Sequence, residues 1–295
     1  MPIFPGPVDY NAVTARAHTI DLGDTPASMR EGFAELLLGQ SPEADDRPTL
    51  RLGQREARLS GAQTLDGYTG TVVVWLHGGG YVFGSPETHR RVADRFAEAC
   101  GLPVAALRYR LAPEHPWPAQ LDDAVAAVRD LHARGCQVIL AGDSAGGHLS
   151  VNTALACAKT EHPVKAIALF SPNTDRSGLN TTRAANDERD PIVGDDFDTM
   201  LAQMCFPPAK WPADHPQNSP IRANLSLLPP THIEVGGREL LRDDSTVFFA
   251  FAKTAGADIS LHETPEAFHM WQVWTPWLVE ADESLGRVGD WVRGL

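Results

Sequence analysis

The sequence predicts an α/β fold in which a mostly parallel sheet carries helices on both faces. The first indication is that short apolar, β-branched segments alternate with longer helical segments from residue 71 onward, an order typical of parallel strands joined by helices. The second is that these apolar segments are continuous, as expected for strands buried on both faces. A length of 295 residues suffices for one large domain, or for one domain with a small lid.

The N-terminal part of the chain is polar and irregular and contains one predicted helix. Apolar residues recur at helical spacing over residues 28–40, and Ser28 is the predicted N-cap. Residues 48–67 have the texture of strands, and their composition predicts a turn at Ser60 and Gly61. One helix and a short strand region therefore precede the regular part of the chain.

The regular part is assigned from its apolar segments and their flanking signals. The predicted strands cover residues 71–76, 102–108, 137–142, 164–171, 231–237 and 257–263. The predicted helices cover residues 85–101, 118–135, the segment from Ser144 onward, 242–256 and a last helix with Trp274, Leu278, Leu285, Val288 and Val292 on one face. In the first of these helices, Ser85 is the predicted N-cap, Pro86 the first helical residue and Gly101 the residue past its end. The rhythm breaks over residues 175–218, which are polar and rich in proline and contain one predicted helix at 195–206.

The acidic composition argues against several kinds of partner. A formal net charge of −13 disfavours nucleic acid and anionic membrane surfaces. The N-terminal residues lack the basic and apolar regions of a secretory signal, and no apolar run approaches the length of a membrane span. Cys100, Cys136, Cys157 and Cys205 have neither a paired nor a metal-ligand spacing. We therefore expect a cytoplasmic protein without a disulfide framework.

The segment AGDSAGGHLS, residues 141–150, places Ser144 among glycines. Similar letters surround the nucleophilic serine in the GDSGG-type loop of chymotrypsin-like proteases and in the G-x-S-x-G elbow of another hydrolase class. The elbow requires a strand that stops before the serine and a helix that starts after it, and both are predicted here. Gly142 and Gly146 stand where larger side chains would collide in so tight a turn. The context therefore favours the elbow.

The segment WLHGGGYVFGSPETH, residues 75–89, follows directly on a predicted strand. Three consecutive glycines leave backbone N–H groups free to face a negative oxygen, as the elbow interpretation requires of a second loop. Such donors stabilise the oxyanion of acyl transfer, and removing one costs about 2.7–4 kcal/mol. A flexible turn is the alternative interpretation, but the downstream Ser144 argues against it.

Three motifs in order resemble one enzyme family. HGGGYVFGS, YRLAPEHPWPA (residues 109–119) and GDSAGGHL are similar to the hormone-sensitive-lipase-like branch of the α/β-hydrolases. The resemblance covers residue 70 to the C-terminus. It implies a mostly parallel eight-stranded sheet with a small helical cap, and hydrolysis of carboxylic esters with short acyl chains.

The resemblance also implies a domain division and a set of supporting residues. Residues 1–45 and 175–218 match the places where such a cap is built, which leaves 46–174 and 219–295 as the two parts of the core. The implied oxyanion donors are the N–H groups of Gly79, Gly80 and Ala145. His77 and Gly78, together with Gly142 and Gly146, are the implied structural supports of the site.

The general base and the acid are sought after the last strands, because this fold uses the order serine, acid, histidine. His269 follows a loop and precedes the last helix, whereas His262 lies inside an alternating strand and is interpreted as structural. Alignment on LRDD places Glu239 at the position of the acid, where the family usually has aspartate. Asp243 and Asp244 are the alternative acids. We favour a role for them in the first turn of the following helix, where carboxylates suit the helix dipole.

These residues predict a serine carboxylesterase that acts on a small-molecule ester. Ser144 is the predicted nucleophile, His269 the base and Glu239 the residue that orients it. No cofactor is expected, and no metal site is indicated because the chain has neither an H-E-x-x-H motif nor a Cys/His cluster. A lactone hydrolase and a deacetylase or amidase are alternatives that use the same triad. A catalytically idle binding protein is the alternative from another class, and a homodimer is possible.

Overall fold

The computed structural model describes residues 3–40 and 44–295. Within these residues, eight strands form one sheet in the order β1-β2-β4-β3-β5-β6-β7-β8. The strands are β1 (Thr49–Leu52), β2 (Arg55–Ser60), β3 (Thr71–Leu76), β4 (Val104–Leu107), β5 (Gln137–Asp143), β6 (Ala166–Phe170), β7 (Thr231–Gly236) and β8 (Ile259–Thr264). The β1–β2 and β2–β4 pairs are antiparallel, and the remaining pairs are parallel. The mostly parallel sheet predicted from the sequence is therefore confirmed.

Helices cover both faces of this sheet. They are α1 (Tyr10–Thr19), α2 (Pro26–Leu38), α3 (Arg90–Cys100), α4 (Ala119–Ala133), α5 (Ala145–Cys157), α6 (Thr182–Asn186), α7 (Asp195–Cys205), α8 (Arg242–Thr254) and α9 (Val279–Arg293). One face packs on α3 and α9 through a compact apolar cluster around Trp75, Phe96 and Phe170. The larger cluster lies on the other face with α4 and α5, and it continues into α2 and α7. The two clusters bury the central strands on both sides, which explains their unbroken apolar sequences.

The two irregular segments of the chain contain the additional helices. The N-terminal segment forms α1 and α2, and the insertion after β6 forms α6 and α7. Phe33 of α2 packs on Phe83 with ring centroids 4.8 Å apart, and Phe83 also stacks on Phe197 of α7. Both segments therefore meet above the loop that follows β3. The division into cap and core domains at the predicted residue boundaries stays a prediction.

Several predicted boundaries were wrong, and each has a local cause. Thr25 rather than Ser28 caps α2, and the Ser28 side chain completes a reciprocal capping pair with it. The chain does bend at Gly61, where β2 has ended, but the prediction missed the hairpin turn between β1 and β2 at residues 53–54. Ser85 bonds with Thr88 in a turn, so α3 begins one turn later than predicted. The last helix begins after Trp274, which lies in a preceding 3-10 turn.

Cys100, Cys136, Cys157 and Cys205 are free and buried in the structure. Among the helices that the structure describes, none is long and apolar enough to cross a membrane.

Candidate active site

Ser144 lies in a tight turn between β5 and α5. Its φ is 52° and its ψ is −119°, a conformation that non-glycine residues adopt only when their surroundings hold it. Its N–H donates to the carbonyl oxygen of Phe170 at 3.0 Å. A Cβ atom on Gly146 would lie 1.8 Å from the carbonyl oxygen of Leu76, so only glycine lets the new helix start this close to β3. The strand–serine–helix order predicted from the sequence is present.

Ser144, His269 and Glu239 form a continuous chain of hydrogen bonds. The Oγ atom of Ser144 lies 2.8 Å from Nε2 of His269, and Nδ1 of His269 lies 3.2 Å from Oε2 of Glu239. Because a carboxylate only accepts, Nδ1 carries the proton and Nε2 is left to accept from the serine hydroxyl. All three side chains are buried, and Glu239 has no exposed surface. The structure thus brings together the three residues that sequence reasoning selected for the triad.

The other oxygen of Glu239 is held by two donors of the core. Its Oε1 atom accepts from the N–H of Gly236 at 2.5 Å and from Oγ of Ser171 at 2.7 Å. Ser171 has a positive φ of 49° and accepts from the N–H of Met270 at 3.2 Å. One hydroxyl therefore links the loop after β6 to the acid and to the residue after His269. Sequence reasoning missed Ser171, although its place at the carboxyl end of a strand beside the elbow could have indicated it.

The surroundings of His269 favour its protonated form. Burial acts against the imidazolium, but the hydrogen bond and charge of Glu239, with the charges of Asp190 and Asp198, outweigh it and raise the pKa of His269 above its ordinary value. A base with a raised pKa accepts the serine proton more readily, provided that the pH keeps it neutral beforehand.

The alternative acids Asp243 and Asp244 contact the insertion between β6 and β7. Both lie in the first turn of α8, as expected. However, Asp243 accepts from the N–H and the hydroxyl of Thr181, and Asp244 accepts from the N–H of Thr174 at 2.7 Å. Our interpretation of them as residues that serve the helix dipole was therefore incomplete, because they also join this insertion to the core. The contact with the imidazole is made by Glu239.

The glycine loop after β3 lies beside Ser144. Gly79 and Gly80 have φ values of 111° and 57° and line the same cavity as Ser144 and His269. Ala145 is the first residue of α5, where backbone N–H groups have no partner within the helix. Gly79 and Gly80 thus line the same cavity as Ser144, and Ala145 directly follows Ser144. Their role as oxyanion donors stays a prediction.

His77 is enclosed under the glycine loop. Its ring is buried and stacks on Tyr109 with centroids 4.2 Å apart, and its carbonyl oxygen accepts from the Tyr109 hydroxyl at 2.6 Å. Burial is the main influence on its pKa, which falls to about 3. His77 is therefore neutral at physiological pH, which suits the structural role that the resemblance implied.

Asp143 is a second buried carboxylate that sequence reasoning missed. Its oxygens accept from the N–H of Gly78 at 3.0 Å and from the indole N–H of Trp75 at 3.2 Å, and one of them lies 3.1 Å from Nε2 of His89. Burial alone would raise its pKa, but the charge and hydrogen bond of His89 hold the pKa below its ordinary value. Since Asp143 directly precedes Ser144, it ties the glycine loop to the elbow.

Arg30 connects α2 to the glycine loop after β3 and to the segment that follows β4. Its guanidinium donates to the carbonyl oxygens of Val82 at 2.9 Å and Ala112 at 3.0 Å, and it forms a two-point ion pair with Glu114. Nothing near Arg30 in the sequence indicates these partners, because they lie more than 50 residues away.

The cavity above Ser144 has mainly apolar walls. α2 contributes Phe33 and Leu36, and the insertion contributes Ile192, Phe197 and Leu201. The carboxylate of Asp198 also reaches this wall, and it is neutralised by Arg176 and Arg183 at 2.9 Å. In the described ranges no group of three or more His, Cys, Asp or Glu side chains is arranged to hold a metal ion.

Comparisons with known proteins agree with this architecture. A family model described as the α/β hydrolase fold matches residues 73–273. An acetyl-hydrolase of Streptomyces hygroscopicus is 38% identical over 231 residues, which are 76% of this chain and 76% of that protein. The carboxylesterase/phospholipase LipF of Mycobacterium tuberculosis is 32% identical over 263 residues, which are 84% of this chain and 69% of that protein.

Solved structures extend the similarity over nearly the whole chain. A crystal structure of an esterase from the bacterial hormone-sensitive lipase family is 33% identical with a TM-score of 0.87, and the match covers 96% of this chain and 97% of that one. A structure of an esterase soaked with p-nitrophenyl butyrate is 30% identical with a TM-score of 0.85 and the same coverage. The chain therefore belongs to the α/β-hydrolase family and, within it, to the hormone-sensitive-lipase-like ester hydrolases.

Proposed function

We propose that the protein hydrolyses short-acyl carboxylic esters through an acyl-enzyme on Ser144. The observation that carries this proposal is the hydrogen-bond chain Ser144–His269–Glu239 at the foot of an apolar cavity, with distances of 2.8 Å and 3.2 Å. The named relatives support ester hydrolysis as the reaction.

Acylation begins when Oγ of Ser144 attacks the ester carbonyl carbon. The hydroxyl proton passes to Nε2 of His269, and the carbonyl oxygen becomes an oxyanion that faces the N–H groups of Gly79, Gly80 and Ala145. Collapse of this intermediate breaks the bond to the alcohol oxygen, which takes the proton back from His269. The alcohol leaves, and the acyl group stays on the serine.

Deacylation repeats the sequence with water as the nucleophile. His269 removes a proton from water, the hydroxide attacks the acyl carbon, and the proton returns to Oγ of Ser144 as the acid is released. Glu239 remains ionised throughout, because its role is to hold Nδ1–H and to stabilise the imidazolium.

The walls of the cavity favour short acyl chains. Phe33 from α2 and Phe197 and Leu201 from α7 close the space above Ser144 on two sides, so apolar contact is available over a limited length. Each buried methylene contributes about 0.8 kcal/mol until the space is filled, or about a fourfold gain in kcat/KM. We therefore expect an optimum at about two to eight carbons.

The test is a series of p-nitrophenyl esters from acetate through butyrate and octanoate to palmitate. Wild type and Ser144→Ala are compared after both have been shown to be folded. We expect kcat/KM to peak within the short chains and Ser144→Ala to lose activity by about 10⁵–10⁶-fold. A maximum on palmitate would refute the substrate class, and near-wild-type turnover by Ser144→Ala would refute the acyl-enzyme. The cytoplasmic location and the homodimer stay predictions of the sequence.

A further inference from the structure

We propose that Asn186 and Asp190, in the insertion between β6 and β7, are positioning residues that hold the loop of the catalytic acid in its working geometry. This inference rests on the proposed triad and goes beyond it, because it assigns part of the catalytic alignment to the segment that also forms the wall of the cavity. We call residues 186–190 the brace.

Asn186 holds the backbone of the acid itself. Its Nδ2 atom donates to the carbonyl oxygen of Glu239 at 2.7 Å, and its side chain is buried. The Oδ1 atom of Asn186 accepts from the guanidinium of Arg189 at 2.9 Å, which fixes the orientation of the amide. The carbonyl oxygen of Glu239 also accepts from the N–H of Arg242 at 3.3 Å, so the insertion supplies the shorter of its two hydrogen bonds.

Asp190 holds the next peptide group and the cavity wall together. Its Oδ2 atom accepts from the N–H of Leu240 at 3.0 Å, and its Oδ1 atom accepts from the N–H of Ile192 at 3.0 Å. Leu240 directly follows Glu239, and Ile192 lines the cavity over Ser144. One carboxylate thus joins the acid loop to the segment that a bound substrate touches.

The acid loop needs these partners because it is irregular and buried. It runs between the end of β7 and the start of α8, and a buried carbonyl or N–H group without a partner is costly. The N–H of Glu239 bonds within its own loop to the carbonyl oxygen of Gly236 at 3.4 Å, whereas the carbonyl oxygen of Glu239 and the N–H of Leu240 each have a partner in the brace. A glutamate also has one more rotatable bond than an aspartate, so its carboxylate depends more on a fixed backbone.

The charge of Asp190 also acts on the base. Three carboxylates raise the pKa of His269, which are Glu239 from the acid loop, Asp190 from the brace and Asp198 from α7. Asp198 is paired with Arg176 and Arg183. Burial raises the pKa of Asp190, but its carboxylate still favours the imidazolium. Replacing Asp190 with a neutral side chain therefore removes one of the three contributions, and displacement of the acid loop reduces the contribution of Glu239. Both effects lower the pKa of His269.

The experiment compares Asp190→Asn and Asn186→Ala with Asp187→Asn as the matched control. Asp187 belongs to the brace but is exposed, and it accepts from the N–H of Asp195 at 2.7 Å instead of contacting the acid loop. kcat and kcat/KM for p-nitrophenyl butyrate are measured across pH. Active sites are titrated with an organophosphonate so that each rate refers to folded enzyme.

We expect kcat per titrated site to fall by about 10–100-fold in Asp190→Asn and Asn186→Ala, because a displaced acid misaligns the base. The acidic limb of the kcat/KM profile should move to lower pH by roughly 0.5 unit in Asp190→Asn. Asp187→Asn should retain the wild-type rate and profile.

If Asp190→Asn and Asn186→Ala match Asp187→Asn in rate per site and in pH profile while Ser144→Ala is inactive, the inference is wrong and the proposed function stands. If Ser144→Ala is active, both fail. A fall in rate with an unshifted profile in Asp190→Asn would overturn the electrostatic part and with it the positioning of the acid by this residue.

Discussion

The nucleophile and the acid of the proposed triad are held in two different ways. Ser144 is positioned by its neighbours in sequence and by the adjoining strands, through a turn that glycine at position 146 permits. Glu239 is positioned by groups from two distant segments, which are the loop with Ser171 and the brace. The elbow is therefore encoded locally, whereas the acid loop depends on how the insertion packs.

Apart from removal of the nucleophile itself, the largest effect that we expect is on the catalytic acid. Glu239→Gln keeps the shape of the side chain but favours the wrong tautomer of His269, and we expect kcat/KM to fall by about 10²–10⁴-fold, or about 3–5 kcal/mol. The measurement is kcat/KM for p-nitrophenyl butyrate, with circular dichroism to confirm folding. Wild-type activity in this variant would mean that the acid is misassigned.

The same substitution sharpens the account through its pH dependence. Glu239 raises the pKa of His269, and only the neutral imidazole can act as a base. Wild-type kcat/KM should therefore decline as the pH falls through a value above 6.5, the ordinary pKa of histidine. In Glu239→Gln the residual activity should persist to lower pH. An acidic limb that stays in place would contradict the pairing.

Features encoded by neighbouring residues could be predicted from the sequence, whereas features that depend on distant contacts could not. Residues 71–76 were predicted as a strand with the bounds that β3 has, because a short apolar run between polar segments is a local signal. Ser144 and the glycine loop were found through motifs of contiguous residues. Asp190 carries no local signal at all, since its function comes from a backbone group 50 residues away. Helix starts were less accurate, because Thr25 rather than Ser28 caps α2, and because Ser85 makes its capping bond with Thr88 in a turn that precedes α3.

The elbow can be broken by a single methyl group. Gly146→Ala would place Cβ within 1.8 Å of the Leu76 carbonyl oxygen, and we expect a loss of about 3 kcal/mol or more in the free energy of unfolding. Gly286→Ala is the matched control, because a Cβ there meets nothing within 4 Å and α9 gains helix propensity of about 0.5–1 kcal/mol. Equal stability of the two variants in urea denaturation would show that the close approach of α5 to β3 does not require glycine at position 146.

The smallest expected effect concerns the ties between the insertion and α8. Asp243→Asn weakens the hydrogen bonds to Thr181, and we expect a loss of about 1 kcal/mol in the free energy of unfolding with kcat/KM changed less than about threefold. Burial acts against the low pKa of Asp243, but the bonds from Thr181 outweigh it. The stability difference should therefore be present above pH 3.8 and shrink as the pH falls below it. A crippling loss of activity would make Asp243 the acid instead.

The most direct test of the central claim is the intact mass of the enzyme during turnover. Wild type is mixed with p-nitrophenyl butyrate, quenched in acid during the first turnover, and analysed by mass spectrometry with peptide mapping. The account predicts an increase equal to one butyryl group, located on the peptide that contains Ser144 and absent from Ser144→Ala. A butyryl group on a residue other than Ser144 would contradict this mechanism. Full-rate hydrolysis by a folded His269→Ala variant that carries no acyl group would contradict it as well.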